Sequence, residues 1–284
     1  MKICIADINI QLEGVMYDYL KYRLRNYIIP EDKECDIIVR YKQSDKIDIP
    51  DGEIMEKKDY KVFAKGDNCY YYYDLLKEET CSAIIRFNEN WTSIDCELFD
   101  VEDLGGASLN IRQFNMIGHI VKYIMINHLG MSLHSSSISY KNNGIMFSAD
   151  SGTGKSTHTR LWMKVFDGVE IINDDMPVIR MVDGVWYLYG CPWSGKTEIN
   201  VNKRVPLKAL VFLERGKTNE IERIYAPESV FKIISQTIVA SYKDIAKKAL
   251  GNISKMVESV PIYRLKCTIS DEAPKVVAKE LDLI

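Results

Sequence analysis

An apolar run, GIMFS from Gly144, leads into Ala149-Asp150-Ser151-Gly152-Thr153-Gly154-Lys155-Ser156-Thr157, and a helix-forming run, HTRLWMKVF, follows. Strand, glycine loop and helix in that order suit few backbones. They match the second half of the phosphate-loop pattern G-x-x-x-x-G-K-S/T, with Ala149 where the first glycine is usual. Gly152 and Gly154 permit a tight turn that brings backbone N–H groups up to phosphate oxygens. A helix starting there adds its unpaired N–H groups and the positive end of its dipole. Lys155 supplies charge to the β- and γ-phosphates, and Ser156 a hydroxyl oxygen for Mg²⁺. Ala149 suits such a loop if its φ is negative; a positive φ there would mean a different backbone path.

The next apolar strand ends in Asn173-Asp174-Asp175-Met176. In nucleotide enzymes one acid at such a strand end holds the metal, directly or through water. A second can accept a proton from an attacking hydroxyl. Successive side chains at a strand end point to opposite sides, so the residues alone leave open which acid does which. His134 lies on the strand before the loop strand, and a hairpin would carry it toward the loop end of the sheet. After another strand comes Pro192-Trp193-Ser194-Gly195-Lys196, which offers a bend, an apolar wall and a cation for a phosphate or an acceptor carboxylate. Arg204 and Arg215 are further candidates for anion contacts.

The rest of the chain frames this region. Residues 1–105 hold short alternating or β-branched runs (KICIADINI, CDIIVRY, DYKVFAKG, CYYYYDLL, SAIIRFN, WTSIDCEL) separated by turn signals, which predicts a β-rich region with one helix near Val15–Tyr27. The Tyr70–Tyr73 run reads as a strand with tyrosines on both faces. After Gly105-Gly106 the spacing of Ile111, Phe114, Ile117, Ile120, Val121 and Ile124 predicts a long buried helix, with Gly130 as its C-cap. His119 and His128 on it read as structural. From residue 131 strands alternate with helices: two strands joined by a turn at Lys141-Asn142-Asn143-Gly144, the loop and its helix, strand-like EIINDDMPVIRM, VWYLYGC, TEINVN and ALVFLER, helices within 228–240 and 242–258, the strand PIYRLKC, and a helix from Asp271. That order predicts an α/β core over residues 106–284.

Composition narrows the function classes. Of 284 residues, 46% are apolar and 27% charged, with 16 Gly and 8 Pro, which excludes a disordered or collagen-like chain. A net charge of −3 argues against a dedicated nucleic-acid binder. No apolar run suggests a membrane span, and MKICIAD is no secretory leader. Seven scattered cysteines without a C-x-x-C pair are the usage of a reduced, cytoplasmic protein.

The stretch Leu133–Trp162 with IINDDM resembles the HPr kinase/phosphorylase family, which has a His at the start of the same strand pair, a D-S-G-x-G-K-S loop and an acidic pair at the next strand. It also resembles ATP-dependent phosphoenolpyruvate carboxykinases, which share such a nucleotide-binding core. The match spans roughly residues 131–200. It implies an α/β P-loop core of this type behind a β-rich N-terminal region, with ATP and Mg²⁺ as cofactors. By the resemblance, Ser151, Gly152, Thr153, Gly154, Lys155, Ser156 and Thr157 bind the nucleotide phosphates, and Ser156 binds the metal with Asp174 helping through water. Asp175 is then the general base, and His134 sits near the transferred phosphoryl group. The glycine-rich signature of HPr kinases is absent. Tyr189-Gly190-Cys191-Pro192-Trp193-Ser194-Gly195-Lys196 instead resembles a stretch of HPr-kinase-related proteins with varied acceptors, including kinases of lasso-type peptide precursors.

The expected activity is ATP-dependent phosphoryl transfer to a hydroxyl of a peptide, a protein or a small molecule. A carboxykinase-like enzyme would instead need a transition-metal site built with His134 and a Lys. A third alternative is a nucleotide-gated binding module without transfer. The N-terminal region is where acceptor recognition or a homo-oligomer contact is expected.

Overall fold

The computed structural model describes residues 1–77, 80–101, 106–237 and 243–284. Gly105 of the Gly-Gly break and the end of the 228–240 helix lie outside the described residues. The chain divides into two compact units, Met1–Asn127 with Ala240–Ile245, and His128–Val239 with Ala246–Ile284. No helix among the described residues is long and apolar enough to cross a membrane, and all seven cysteines are free thiols.

The first unit is a sheet crossed by one long helix. Its elements are β1 (Lys2–Ile5), β2 (Ile8–Gly14), α1 (Asp18–Leu24), β3 (Ile37–Ser44), β4 (Glu53–Lys58), β5 (Lys61–Lys65), β6 (Tyr70–Lys77), β7 (Thr80–Phe87), β8 (Ser93–Phe99) and α2 (Leu109–Asn127). The strands lie in the order β1-β2-β3-β8-β7-β6-β5-β4. KICIADINI is two strands, turned at Ala6 and Asp7, both with positive φ. That is the twist a two-residue hairpin needs. Tyr72 and Tyr73 face opposite sides of β6, as the alternation predicts. Tyr72 lies 4.9 Å from the His119 ring on α2, and Tyr73 packs with Ile47, Val62 and Cys81 on the other face. Trp91 is fully buried between Phe87 and Tyr123, with ring centroids 3.8 and 4.5 Å away. The α2 helix ends at Asn127, not at a glycine cap: Leu129 takes the left-handed conformation and Gly130 begins the next strand.

The second unit is a mixed sheet with helices on both faces. Its elements are β9 (Gly130–Ser132), β10 (Ser135–Tyr140), β11 (Asn143–Ser148), α3 (Lys155–Val165), β12 (Glu170–Asn173), β13 (Val178–Val182), β14 (Val185–Tyr189), β15 (Arg204–Arg215), β16 (Glu220–Arg223), α4 (Glu228–Gln236), α5 (Lys243–Ser259), β17 (Ile262–Cys267) and α6 (Glu272–Glu280). The order is β12-β10-β11-β15-β14-β13-β9, with β17 beside β15 and β16 beside β17. The β11, β15 and β17 strands run parallel. Lys141 and Asn142 both have positive φ and close the β10–β11 hairpin where the sequence predicts a turn. TEINVN is not a strand: it begins in a 3₁₀ turn, Gly195–Thr197, followed by Glu198 in the left-handed region.

Two separate cores form on the two faces. Val205, Leu207, Leu210 and Phe212 of β15 join Ile233, Ile253 and Met256 of the α4 and α5 side. Ala209, Val211 and Leu213 join Trp162 of α3 and Val277 of α6. Leu207 and Ala209 would share a face in a regular strand. The pairing register shifts between Gly144 and Ile145, opposite Leu207 and Ala209, and a one-residue slip exchanges the faces.

His158, on α3, is buried, and its Nε2 accepts the Trp162 indole N–H at 3.2 Å. Burial pushes its pKa down to about 3 from 6.5. The unfolded chain therefore takes up a proton that the folded chain refuses. This contribution to stability is complete above pH 6.5 and is lost as the pH falls toward 3. At pH 5 the loss is about 2 kcal/mol at 1.36 kcal/mol per unit. Urea unfolding at pH 7 and pH 5 is expected to show a loss larger by about 2 kcal/mol in the wild type than in His158→Gln, which keeps an acceptor for the indole; buried His119, whose pKa is also pushed down to about 3, adds the same loss to both. Equal losses in both proteins would refute the assignment.

Candidate active site

The glycine loop sits between β11 and α3, in the strand–loop–helix order that the sequence predicts. Gly152 has φ +74° and Gly154 φ +118°, and no atom lies closer than 4.0 Å to a Cβ built on either. The loop backbone is thus open, held in a conformation that favours glycine. Ala149 has no positive φ, and its methyl is buried in the core with Phe147 and Trp162. The usual glycine is dispensable here because the backbone at this position does not enter the left-handed region.

Lys155 opens α3 and bends back across its own loop, its Nζ donating to the Ala149 carbonyl at 2.9 Å. Burial lowers its pKa, and the fields of Asp175, Asp150 and Asp174 act the other way. All three carboxylates therefore lie within electrostatic reach of the ammonium group. Ser151 and Thr157 are exposed at the loop, and the Thr153 N–H closes a turn on the Asp150 carbonyl at 3.2 Å.

The two aspartates occupy different environments, as successive residues at a strand end should. Asp174 is buried, and its Oδ1 accepts the Ser136 hydroxyl at 2.6 Å. Ser136 Oγ lies 3.1 Å from Thr159 Oγ1, which donates to the Ser156 carbonyl at 3.2 Å. A chain of hydroxyls thus ties Asp174 to the first turn of α3. Asp175 is about one-third exposed, and its Oδ1 lies 3.4 Å from His134 Nε2. Its main chain is clamped on both sides: its N–H donates to Asn173 Oδ1 at 2.9 Å and its carbonyl accepts the Ser135 N–H at 2.9 Å.

Gln236 joins loop and acids. Its side chain donates to Asp150 Oδ1 at 3.1 Å, and its carbonyl accepts the His134 N–H at 2.8 Å. The Pro-Trp-Ser-Gly-Lys loop closes the other side. A Cβ on Gly195 would stand 3.0 Å from Asp175 Cβ and 3.1 Å from its Cγ, so only a glycine lets that backbone approach the carboxylate so closely. Asn173 holds the loop down by donating to the Cys191 carbonyl at 2.9 Å. Of the two arginines, Arg215 reaches the site and donates to the Gly152 carbonyl at 3.2 Å. Arg204 lies at the other end of β15, roughly 35 Å along the strand, over the Tyr187 ring. Lys196 is exposed on the 3₁₀ turn.

Sequence reading missed several of these positions. Ser135, Ser136 and Ser137 read only as strand, yet all three are fully buried, and two of them hold the acidic segment by hydrogen bonds: Ser136 to Asp174 and Ser137 to the Asn173 carbonyl. Four serines in the six residues of β10, three of them consecutive, were the available signal, since buried hydroxyls need partners. Asn173 precedes the acids as an apolar strand ends, where its amide can serve the turn. Gln236 carried no signal.

Residues 94–281, about two-thirds of the chain, match the profile of the family described as SynChlorMet cassette protein ScmC. The match takes in β8, α2 and nearly all of the second unit, including every site residue above. No curated protein matches the chain. Among solved structures, the Hpr(Ser) kinase/phosphatase from Coxiella burnetii is similar with a TM-score of 0.33 and 9% identity, over 53% of this chain and 95% of that one. With the profile covering that share of its length, the chain belongs to the ScmC family, the SynChlorMet cassette protein ScmC.

Proposed function

We propose that the second unit is an ATP-dependent kinase of the HPr-kinase-like type, transferring the γ-phosphoryl group to a hydroxyl of a peptide or protein serine or of a small-molecule alcohol. The observation that carries this reading is the convergence of an open glycine loop, its lysine and a carboxylate about one-third exposed at one end of one sheet. Lys155 lies in the field of Asp175, and Gln236 links the loop to the His134 strand.

In this reading the N–H groups of Gly152 to Ser156 and the start of α3 hold the phosphates. Lys155 leaves the Ala149 carbonyl for the β- and γ-phosphates, and Arg215 stands at the loop to share the charge. The acceptor hydroxyl oxygen attacks the γ-phosphorus, the bond to the β-bridging oxygen breaks, ADP leaves, and the hydroxyl proton passes to Asp175. His134 orients that carboxylate from 3.4 Å.

The residues fit a magnesium ion. The Ser156 hydroxyl has no hydrogen-bond partner among the described residues, and Asp174 has one oxygen engaged by Ser136 and a second without a partner there. Two hard oxygens in an otherwise open site suit an ion that keeps most of its ligands as water and phosphate. When bound, the ion supplies charge neutralisation on the β- and γ-oxygens.

The test is transfer of label from γ-³²P ATP to serine-containing peptides and polyols by the full chain with Mg²⁺. Labelled acceptor is expected from the wild type. Lys155→Met should lower the rate by about 10²–10³-fold, the usual loss on removing one charge-stabilising group. Tight ATP binding with no transfer to any acceptor would favour a nucleotide-gated binding module instead.

A further inference from the structure

The first unit contains a cavity of about 260 Å³ between α2 and the sheet. Its floor follows from strand register. Lys61, Asp74, Ala83 and Leu98 stand opposite one another across β5, β6, β7 and β8. Ala83 is the small member of that row and leaves the space. The roof is one stripe of α2, with Arg112, Asn115, Met116 and His119 at helical spacing. Lys61 and Asn115 are exposed and mark the mouth.

Two of the residues lining this cavity each hold a buried side-chain atom without a hydrogen-bond partner among the described residues, Asp74 Oδ1 and His119 Nε2. Groups of this kind are rare in folded proteins and call for an explanation. Burial raises the Asp74 pKa, with Lys61 and Arg112 acting against it. Burial pushes that of His119 down to about 3, so its ring is neutral near pH 7. Arg112 donates to the carbonyls of Phe99 and Ser82, which leaves three of its five N–H groups. The lining therefore carries two cations, one carboxylate and one neutral imidazole. A simple anion would bring Asp74 no hydrogen-bond donor, and a simple cation would meet two like charges. A small molecule bearing both an ammonium and a carboxylate sets each charge against its opposite.

We propose that this cavity binds a free α-amino acid with an apolar side chain. Its ammonium pairs with the Asp74 carboxylate beside the His119 ring, its carboxylate faces Lys61 and Arg112, and its side chain packs on Tyr72, Ile85 and Met116.

The experiment titrates the full chain with L-leucine and L-phenylalanine by calorimetry. Saturable one-site binding is expected for at least one of them. Leucinamide, which lacks the carboxylate, and N-acetyl-leucine, which lacks the ammonium, should each bind at least about tenfold more weakly than leucine, as expected for one lost charged hydrogen bond. Asp74→Asn should weaken leucine by a similar factor. That variant removes a buried charge without changing shape, so it is expected to fold, and circular dichroism verifies this. Ala83→Leu, which fills the gap, should abolish binding. The proposal is overturned if neither amino acid binds at millimolar concentration. It is equally overturned if the amide and the N-acetyl form bind as well as leucine, or if folded Asp74→Asn binds like the wild type.

Discussion

Asp175→Asn is expected to slow phosphoryl transfer by about 10²–10⁴-fold, the range for removing a general base, while ATP binding stays in place. The substitution keeps the side-chain shape beside Gly195 and the main-chain bonds to Asn173 and Ser135. It removes only the capacity to take a proton. Asp174→Asn should behave differently. Its Oδ1 can still accept the Ser136 hydroxyl, so the fold is kept, and the loss should appear as a higher Mg²⁺ requirement. Rates measured against Mg²⁺ concentration for both variants therefore separate the two acids, whose roles the sequence leaves open. If Asp175→Asn shifts the Mg²⁺ dependence and Asp174→Asn abolishes turnover at saturating Mg²⁺, the roles are reversed.

What the sequence disclosed was local and carried by backbone chemistry. The glycine loop, the hairpin turn at Lys141-Asn142 and the split between two acids all follow from φ preferences or from strand alternation within a few residues. The β4 strand, EIMEKK, was not predicted because nearly all of it is exposed. An edge strand with charges on both faces leaves no alternation to read. TEINVN had the alternation without the strand, because Gly195 must turn toward Asp175 and the backbone then follows the loop. Gln236 joins the site from α4, and of the two arginines that the sequence offers as anion contacts only Arg215, at the C-terminal end of β15, meets the loop. Such meetings are set by the sheet order, which no short pattern encodes. The serine triplet is the intermediate case: the strand was readable, but the partners of the Ser136 and Ser137 hydroxyls lay on β12 and the segment after it.

The largest loss of stability is expected from Gly190→Ala. Gly190 follows β14 at the start of the loop that ends against Asp175. A Cβ there would stand 1.8 Å from the Val201 carbonyl oxygen, 2.9 Å from its carbon and 3.0 Å from the Ile172 oxygen. All three are backbone atoms, so no side-chain rotation relieves the overlap. The Val201 N–H also donates to that same Ile172 oxygen at 3.1 Å, so moving Val201 aside breaks the tie to β12. Moving Gly190 instead withdraws Cys191 from Asn173, whose Oδ1 holds the N–H groups of Asp175 and Met176. Overpacking of this kind costs about 1–3 kcal/mol where side chains can yield and more where they cannot. At the upper value, Tm falls by roughly 6–12 °C for a unit of this size. Gly152→Ala supplies the contrast: its Cβ meets nothing, and only the positive φ opposes it, at about 1–2 kcal/mol in an open loop. Thermal melts followed by circular dichroism should thus place Gly190→Ala well below Gly152→Ala. Label transfer should be lost in both, through a displaced carboxylate in the first and a distorted phosphate cradle in the second. A Gly190→Ala protein that melts with the wild type would mean that the loop does not sit on β12, and the clamp on Asp175 would fall with it.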